Sequence, residues 1–193
     1  MSKKILFVDA CLRENSRTRR LAEALLASLD GEVERLSLGD ADLPKMDDAM
    51  VNARNAACSV GRFERPIYRF AKQFAEADEI VIAAPFWDMS FPAILKKYIE
   101  AVTVSGITFK YSDEGVPIGL CRAGRLYYVT TAGGPTFGNQ FGYGYIKALA
   151  QGMYGIADVQ YISLENLDIV GNDPEKMLAE AIKEIPTSLR SSE

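Results

Sequence analysis

The run Glu79-Ile80-Val81-Ile82-Ala83-Ala84 constrains this chain more than any other stretch. It is apolar without alternation, too short for a helix and partly β-branched, so it reads as a strand covered on both faces. Strands of that kind belong to parallel sheets flanked by helices. The run stops at Pro85 and passes through Phe86-Trp87-Asp88-Met89 into a helix, with Ser90 as the expected N-cap and Pro92 in the first turn. Such a strand-to-helix loop lies at the carboxyl end of the sheet, where α/β folds bind ligands. Taken alone, it serves equally well as an aromatic plug over the core.

Similar runs recur along the chain. Ile5-Leu6-Phe7-Val8, residues 32–38, Leu126-Tyr127-Tyr128-Val129-Thr130-Thr131 and Val159-Gln160-Tyr161-Ile162-Ser163-Leu164 are the other expected strands. Helical spacing predicts helices over 16–30, closed by Gly31, over 62–77, from Ser90 past Val102, over 141–152, and from Asp173-Pro174 to about residue 185. Residues 39–60 read as loop plus a short helix, and 108–118 as a hairpin. Strands alternating with helices, joined by right-handed crossovers, give a three-layer α/β sandwich with a five-stranded parallel sheet in the order 2-1-3-4-5. A chain of 193 residues with 48% apolar and 25% charged composition suits one globular domain spanning 1–193.

Composition removes whole classes of function. A net charge of −4 leaves no basic stripe for nucleic acid. Cys11, Cys58 and Cys121 lie far apart without CxxC spacing, as expected for reduced thiols in a cytoplasmic protein with no metal site. No run is long enough to span a membrane, and Met1-Ser2-Lys3-Lys4 leads straight into a strand, so neither a membrane anchor nor a signal peptide is expected. The chain has no histidine, which excludes Ser-His-Asp and Cys-His catalysis. An enzyme of this composition takes its reactivity from a cofactor.

In the order 2-1-3-4-5, the loops after the first and third strands part and leave a crevice. The first, Cys11-Leu12-Arg13-Glu14-Asn15-Ser16-Arg17-Thr18, ends at a helix N-terminus, where free N–H groups and the dipole attract an anion. Ser16 and Thr18 offer hydroxyls. Arg17, Arg19 and Arg20 crowd the first turn, either to meet an anion or simply to point into water. Neither GxxxxGK[ST] nor GxGxxG is present, so the loop suits a terminal monophosphate. Gly133 and Gly134 let a flat ligand approach the backbone or adopt positive φ in an ordinary turn. Phe86, Trp87 and Met89 supply an apolar, polarisable wall. Three such loops at one edge describe the site of a flat ring with a monophosphate tail, which is a description of FMN.

The residues that carry a resemblance are Asn15-Ser16-Arg17-Thr18, the run from Ala84 to Pro92 with Leu95-Lys96, Gly106-Ile107-Thr108-Phe109-Lys110-Tyr111, Thr130-Thr131-Ala132-Gly133-Gly134 and Gly152-Met153-Tyr154-Gly155-Ile156. Over nearly its whole length the chain resembles the FMN-dependent NADH:azoreductases and NAD(P)H:quinone reductases of the flavodoxin-like superfamily. The resemblance implies that Ser16, Arg17 and Thr18 hold the FMN phosphate, that Pro85, Phe86, Trp87, Asp88 and Met89 line the isoalloxazine, and that Thr131, Ala132, Gly133 and Gly134 contact its pyrimidine end. It implies a homodimer with Trp87, Tyr111 and Met153 near the substrate, Tyr111 reaching the partner's site. NADH or NADPH is then the reductant, and a quinone, azo or nitro aromatic the acceptor, in ping-pong hydride transfer with no catalytic side chain. A flavodoxin-like electron carrier is the alternative.

Three positions depart from the family pattern. Asp88 replaces the usual asparagine and either lowers the flavin potential or caps the next helix. Thr131-Ala132 replaces serine-arginine. The first loop lacks the usual serine near Cys11, which stands either with a depressed pKa from the nearby helix N-terminus or as a plain substitute for a small polar residue.

Overall fold

A computed structural model describes residues 2–190. Strands β1 (Lys4–Asp9), β2 (Glu32–Ser37), β3 (Glu79–Ala83), β6 (Arg125–Thr131) and β7 (Asp158–Leu164) form one sheet in the order β2-β1-β3-β6-β7. Every pair in it is parallel. This is the expected 2-1-3-4-5 arrangement. A short antiparallel ribbon intervenes in the chain, β4 (Phe109–Tyr111) with β5 (Pro117–Gly119), at the hairpin position. The helices are α1 (Arg17–Leu26), α2 (Asp48–Val60), α3 (Arg69–Glu76), α4 (Ala93–Val102), α5 (Tyr145–Leu149) and α6 (Pro174–Arg190).

The strand alternation sorts side chains between two cores. Ile5, Phe7, Val81 and Val129 pack on Leu21 and Leu25 of α1 and Leu178 of α6. Leu6, Ile80, Ile82 and Leu126 pack on Phe74 of α3, Leu95 of α4 and Ile146 of α5. The helices after β1 and β3 therefore lie on opposite faces, and the chain parts between these strands at their carboxyl ends. That divergence creates the crevice.

Several elements differ from their sequence reading, each for a local reason. Helix α1 stops at Leu26, before Gly31, because Ser28 donates both its N–H (2.9 Å) and its hydroxyl (2.7 Å) to the Leu25 carbonyl. The 62–77 helix shrinks to Arg69–Glu76 behind a 3₁₀ turn at Pro66–Tyr68. Arg65, preceding the proline, is extended at ψ 141°, as proline steric demand requires. Helix α2 is longer than read, with thirteen residues capped by Asp47 and closed by Gly61 at φ 65°; none is fully buried, so it has no apolar stripe to read. The 141–152 helix becomes α5 between two π-helical turns, Gln140–Gly144 and Ala150–Tyr154, which stop at Gly155 (φ 79°). Ser90 does not cap α4. Pro92 holds the cap position without a side-chain bond, and the Ser90 hydroxyl donates to the Phe141 carbonyl at 2.7 Å. Asp88 does not cap α4 either.

Candidate functional site

At the crevice, residues from four segments line a cleft of about 250 Å³. The first segment is the β1–α1 loop. Ser16 is the α1 N-cap, with extended backbone (φ −76°, ψ 122°), and its Oγ accepts the Arg19 N–H at 3.2 Å. Arg20 N–H reaches the Ser16 carbonyl at 3.1 Å. The N–H groups of Arg17 and Thr18 are left without partners among the described residues, at the positive end of the helix.

The second segment is a tight turn. Trp87 and Ser90 exchange two backbone hydrogen bonds (3.2 and 2.7 Å), and Asp88 and Met89 between them have φ of 49° and 65°. Two consecutive left-handed residues make this a type I′ turn, a geometry that normally takes glycine or asparagine. The turn fixes Phe86 and Trp87 as one wall of the cleft. Phe86 N–H donates to the Thr131 carbonyl at 3.1 Å and ties that wall to the third segment.

The third and fourth segments run side by side. Beyond the sheet, the N–H groups of Asn166, Leu167 and Asp168 donate to the carbonyls of Gly134, Ala132 and Gly133 (3.2, 3.2 and 2.8 Å). Asp168 is thereby laid across Gly133, where an added Cβ would run into its carboxylate. Neither Gly133 nor Gly134 has positive φ. Gly133 is needed for the close approach of Asp168, and neither glycine is there to supply positive φ. Asp168 accepts from Arg17 Nη1 and Nη2 at 2.8 and 3.3 Å, and this pairing holds its carboxyl below the usual range.

The cleft thus gathers Ser16, Arg17, Thr18, Pro85, Phe86, Trp87, Thr131, Ala132 and Gly133 from the sequence reading. Asp88, Met89 and Gly134 stand outside it, Met89 at the exposed tip of the turn. Tyr111 is exposed on the β4–β5 ribbon with its ring edge-on to Phe109, and Met153 packs against the core, so neither reaches the cleft within one protomer. Asp168 carries no sequence signal of its own, because its place depends on how the chain continues after β7, for which no local pattern exists.

Electrostatics correct two expectations. The arginines do not simply point into water: Arg17 pairs with Asp168, Arg19 with Asp9, and Arg20 with Glu175. The Cys11 thiol is not acidified. Burial dominates and pushes it up to about 12, against a smaller opposing effect of Ser16.

Among proteins of known character, the flavodoxin-like fold family matches residues 3–189. The chain is 34% identical over 193 aligned positions to the FMN-dependent NADH:quinone oxidoreductase of Coprothermobacter proteolyticus, covering 94% of this chain and 95% of that one. It is 33% identical over 192 positions to the FMN-dependent NADH:quinone oxidoreductase 2 of Clostridium acetobutylicum, covering 93% and 94%. The crystal structure of an azoreductase from Bacillus anthracis superimposes with a TM-score of 0.80 at 26% identity, covering 96% of this chain and 98% of that one. Sheet order, cleft position and these likenesses agree: the chain belongs to the flavodoxin-like fold family, among the FMN-dependent NADH:quinone oxidoreductases.

Proposed function

We propose that this protein is an FMN-dependent NAD(P)H oxidoreductase that reduces quinones, azo compounds or similar flat acceptors. One observation carries the reading: a helix N-terminus with free N–H groups, the Phe86–Trp87 wall and the glycine floor at Gly133 face a single cleft at the switch point of the sheet. The donor set fits FMN. Unpartnered N–H groups suit a terminal phosphate, while the Phe86–Trp87 wall suits a flat ring.

Bound FMN would supply the redox chemistry, hydride acceptance from NADH or NADPH and electron transfer to the acceptor. The side chains bind and orient. With no histidine in the chain, none serves as an imidazole acid or base. We read Ser16, Arg17 and Thr18 as the phosphate end. Pro85, Phe86 and Trp87 then lie along the ring, and Thr131, Ala132 and Gly133 at its pyrimidine end. The exposed Tyr111, Val116, Ile118 and Leu120 on and beside the β4–β5 ribbon support a homodimer in which Tyr111 and Met153 border the acceptor in a site shared between copies. No helix among the described residues is long and apolar enough to cross a membrane, and the reading includes a cytoplasmic location.

The test is anaerobic stopped-flow of FMN-loaded protein. NAD(P)H should bleach the flavin absorbance within seconds, and a quinone should restore it. Bleaching by chemical reductant but not by NAD(P)H would assign the protein to the electron carriers instead.

A further inference from the structure

The arginines of the β1–α1 loop differ in what they hold. Among the described residues, Arg17 and Arg20 each hydrogen-bond one carboxylate and no other group. Arg19 meets a carboxylate and the loop backbone together. Its Nε donates to Asp9 Oδ2 at 2.5 Å, its Nη1 to the carbonyls of Arg13 and Glu14 at 2.9 and 3.0 Å, and its Nη2 to the carbonyl of Cys11. The other Asp9 oxygen accepts the Cys11 N–H at 2.9 Å. The guanidinium is thus almost fully committed to its own loop and has little left to offer an anion.

A trans peptide is planar, with its carbonyl and the following N–H pointing opposite ways. Turning the carbonyls of Cys11, Arg13 and Glu14 toward Arg19 therefore turns the N–H groups of Leu12, Glu14 and Asn15 away from it. None of these N–H groups has a partner among the described residues. Leu12 and Asn15 line the cleft beside Ser16. Concave runs of free N–H groups are anion sites, and a carbonyl swung into one repels the anion. We propose that Arg19, oriented by Asp9, is a positioning residue for a phosphate monoester: it holds the loop carbonyls back so that the backbone N–H groups face the phosphate, which it does not itself touch. This rests on the flavin reading above and extends it to how the phosphate end is built.

The test compares FMN with riboflavin, which carries the same ring without the phosphate. Dissociation constants are read from quenching of flavin fluorescence in the wild type, Arg19→Met, Arg19→Lys and Asp9→Asn. For Arg19→Met the FMN constant should rise about 10- to 100-fold, and riboflavin's by less than about threefold. Arg19→Lys should not rescue, because an ammonium cannot span acceptors arranged for a planar fork. Asp9→Asn should shift the FMN-to-riboflavin ratio in the same direction by a smaller factor, and it decides the matter should the Arg19 variants fail to fold. A general structural loss would weaken both flavins alike, so an unchanged ratio overturns the positioning role while leaving the flavin reading intact. Wild-type protein that quenches neither flavin overturns both.

Discussion

The hydroxyl oxygens of Thr18 and Thr131 lie 2.6 Å apart, joining the first turn of α1 to the end of β6 across 113 positions of sequence. Thr18 is 1% exposed, so its hydroxyl has no water to fall back on. Both residues line the cleft, and this bond ties its α1 side to its β6 side. Thr131→Val should therefore lower the unfolding free energy of the flavin-free protein by about 1–3 kcal/mol, the cost of an orphaned buried hydroxyl. Thr18→Val/Thr131→Val should recover most of that loss, because no orphan remains. Urea unfolding of the single and double variants checks it; additive losses would mean that the two hydroxyls do not sustain each other.

Gly133 and Gly134 are adjacent in sequence but unequal in surroundings. A side chain at Gly133 collides with Asp168, whereas at Gly134 nothing lies within 4 Å. Gly133→Ala should displace Asp168, break its pair with Arg17 and weaken FMN binding by at least about tenfold, the equivalent of one charge-assisted contact. Gly134→Ala should bind FMN like the wild type. Equal behaviour of the two variants in a flavin titration would show that Asp168 does not shape the cleft.

These two cases also mark how far the residues alone could be read. The sheet order followed from apolar runs such as Ile80–Ala83, because a doubly covered parallel strand has few other uses for such a run. The loops then fell at one edge by topology, which is why Ser16, Trp87 and Gly133 meet although they are distant in the chain. Partnerships between loops were not legible. Nothing near Arg17 or Arg19 announces Asp168 or Asp9 as a partner, and crowded arginines look free until their acids are placed. Ser90 has the composition of an N-cap, but Phe141 takes its hydroxyl, and only the folded chain brings that carbonyl within reach.

The Trp87–Ser90 turn stores strain in a side chain that supplies no glycine freedom. Met89 at φ 65° is exposed and carries a Cβ in the left-handed region, a penalty of about 1–2 kcal/mol. Met89→Gly removes that penalty while adding about 0.5–1 kcal/mol of unfolded-chain entropy, so a net gain of up to about 1 kcal/mol is expected. A higher urea midpoint with unchanged slope is the expected result. A lower midpoint would show that contacts of the methionine side chain outweigh the backbone strain.

Cys11 gives a prediction whose sign runs against its position at a helix N-terminus. The residue is 5% exposed, its sulfur lies 3.7 Å from the Ala83 carbonyl oxygen, and burial raises the thiol pKa from 9.0 to about 12. The folded protein therefore binds this proton more tightly than the unfolded chain does. Its contribution to stability is complete below pH 9 and is lost as pH rises toward 12, and Cys121, raised to about 12 by burial, adds to the same alkaline loss. Because the thiolate is the nucleophile, Cys11 should resist alkylation at pH 8 in the native state and react readily once unfolded. Iodoacetamide labelling followed by peptide mass analysis reads each cysteine separately. Native labelling of Cys11 as fast as in denaturant would mean that the helix dipole and Ser16 prevail over burial, and that the cleft floor carries a reactive thiolate.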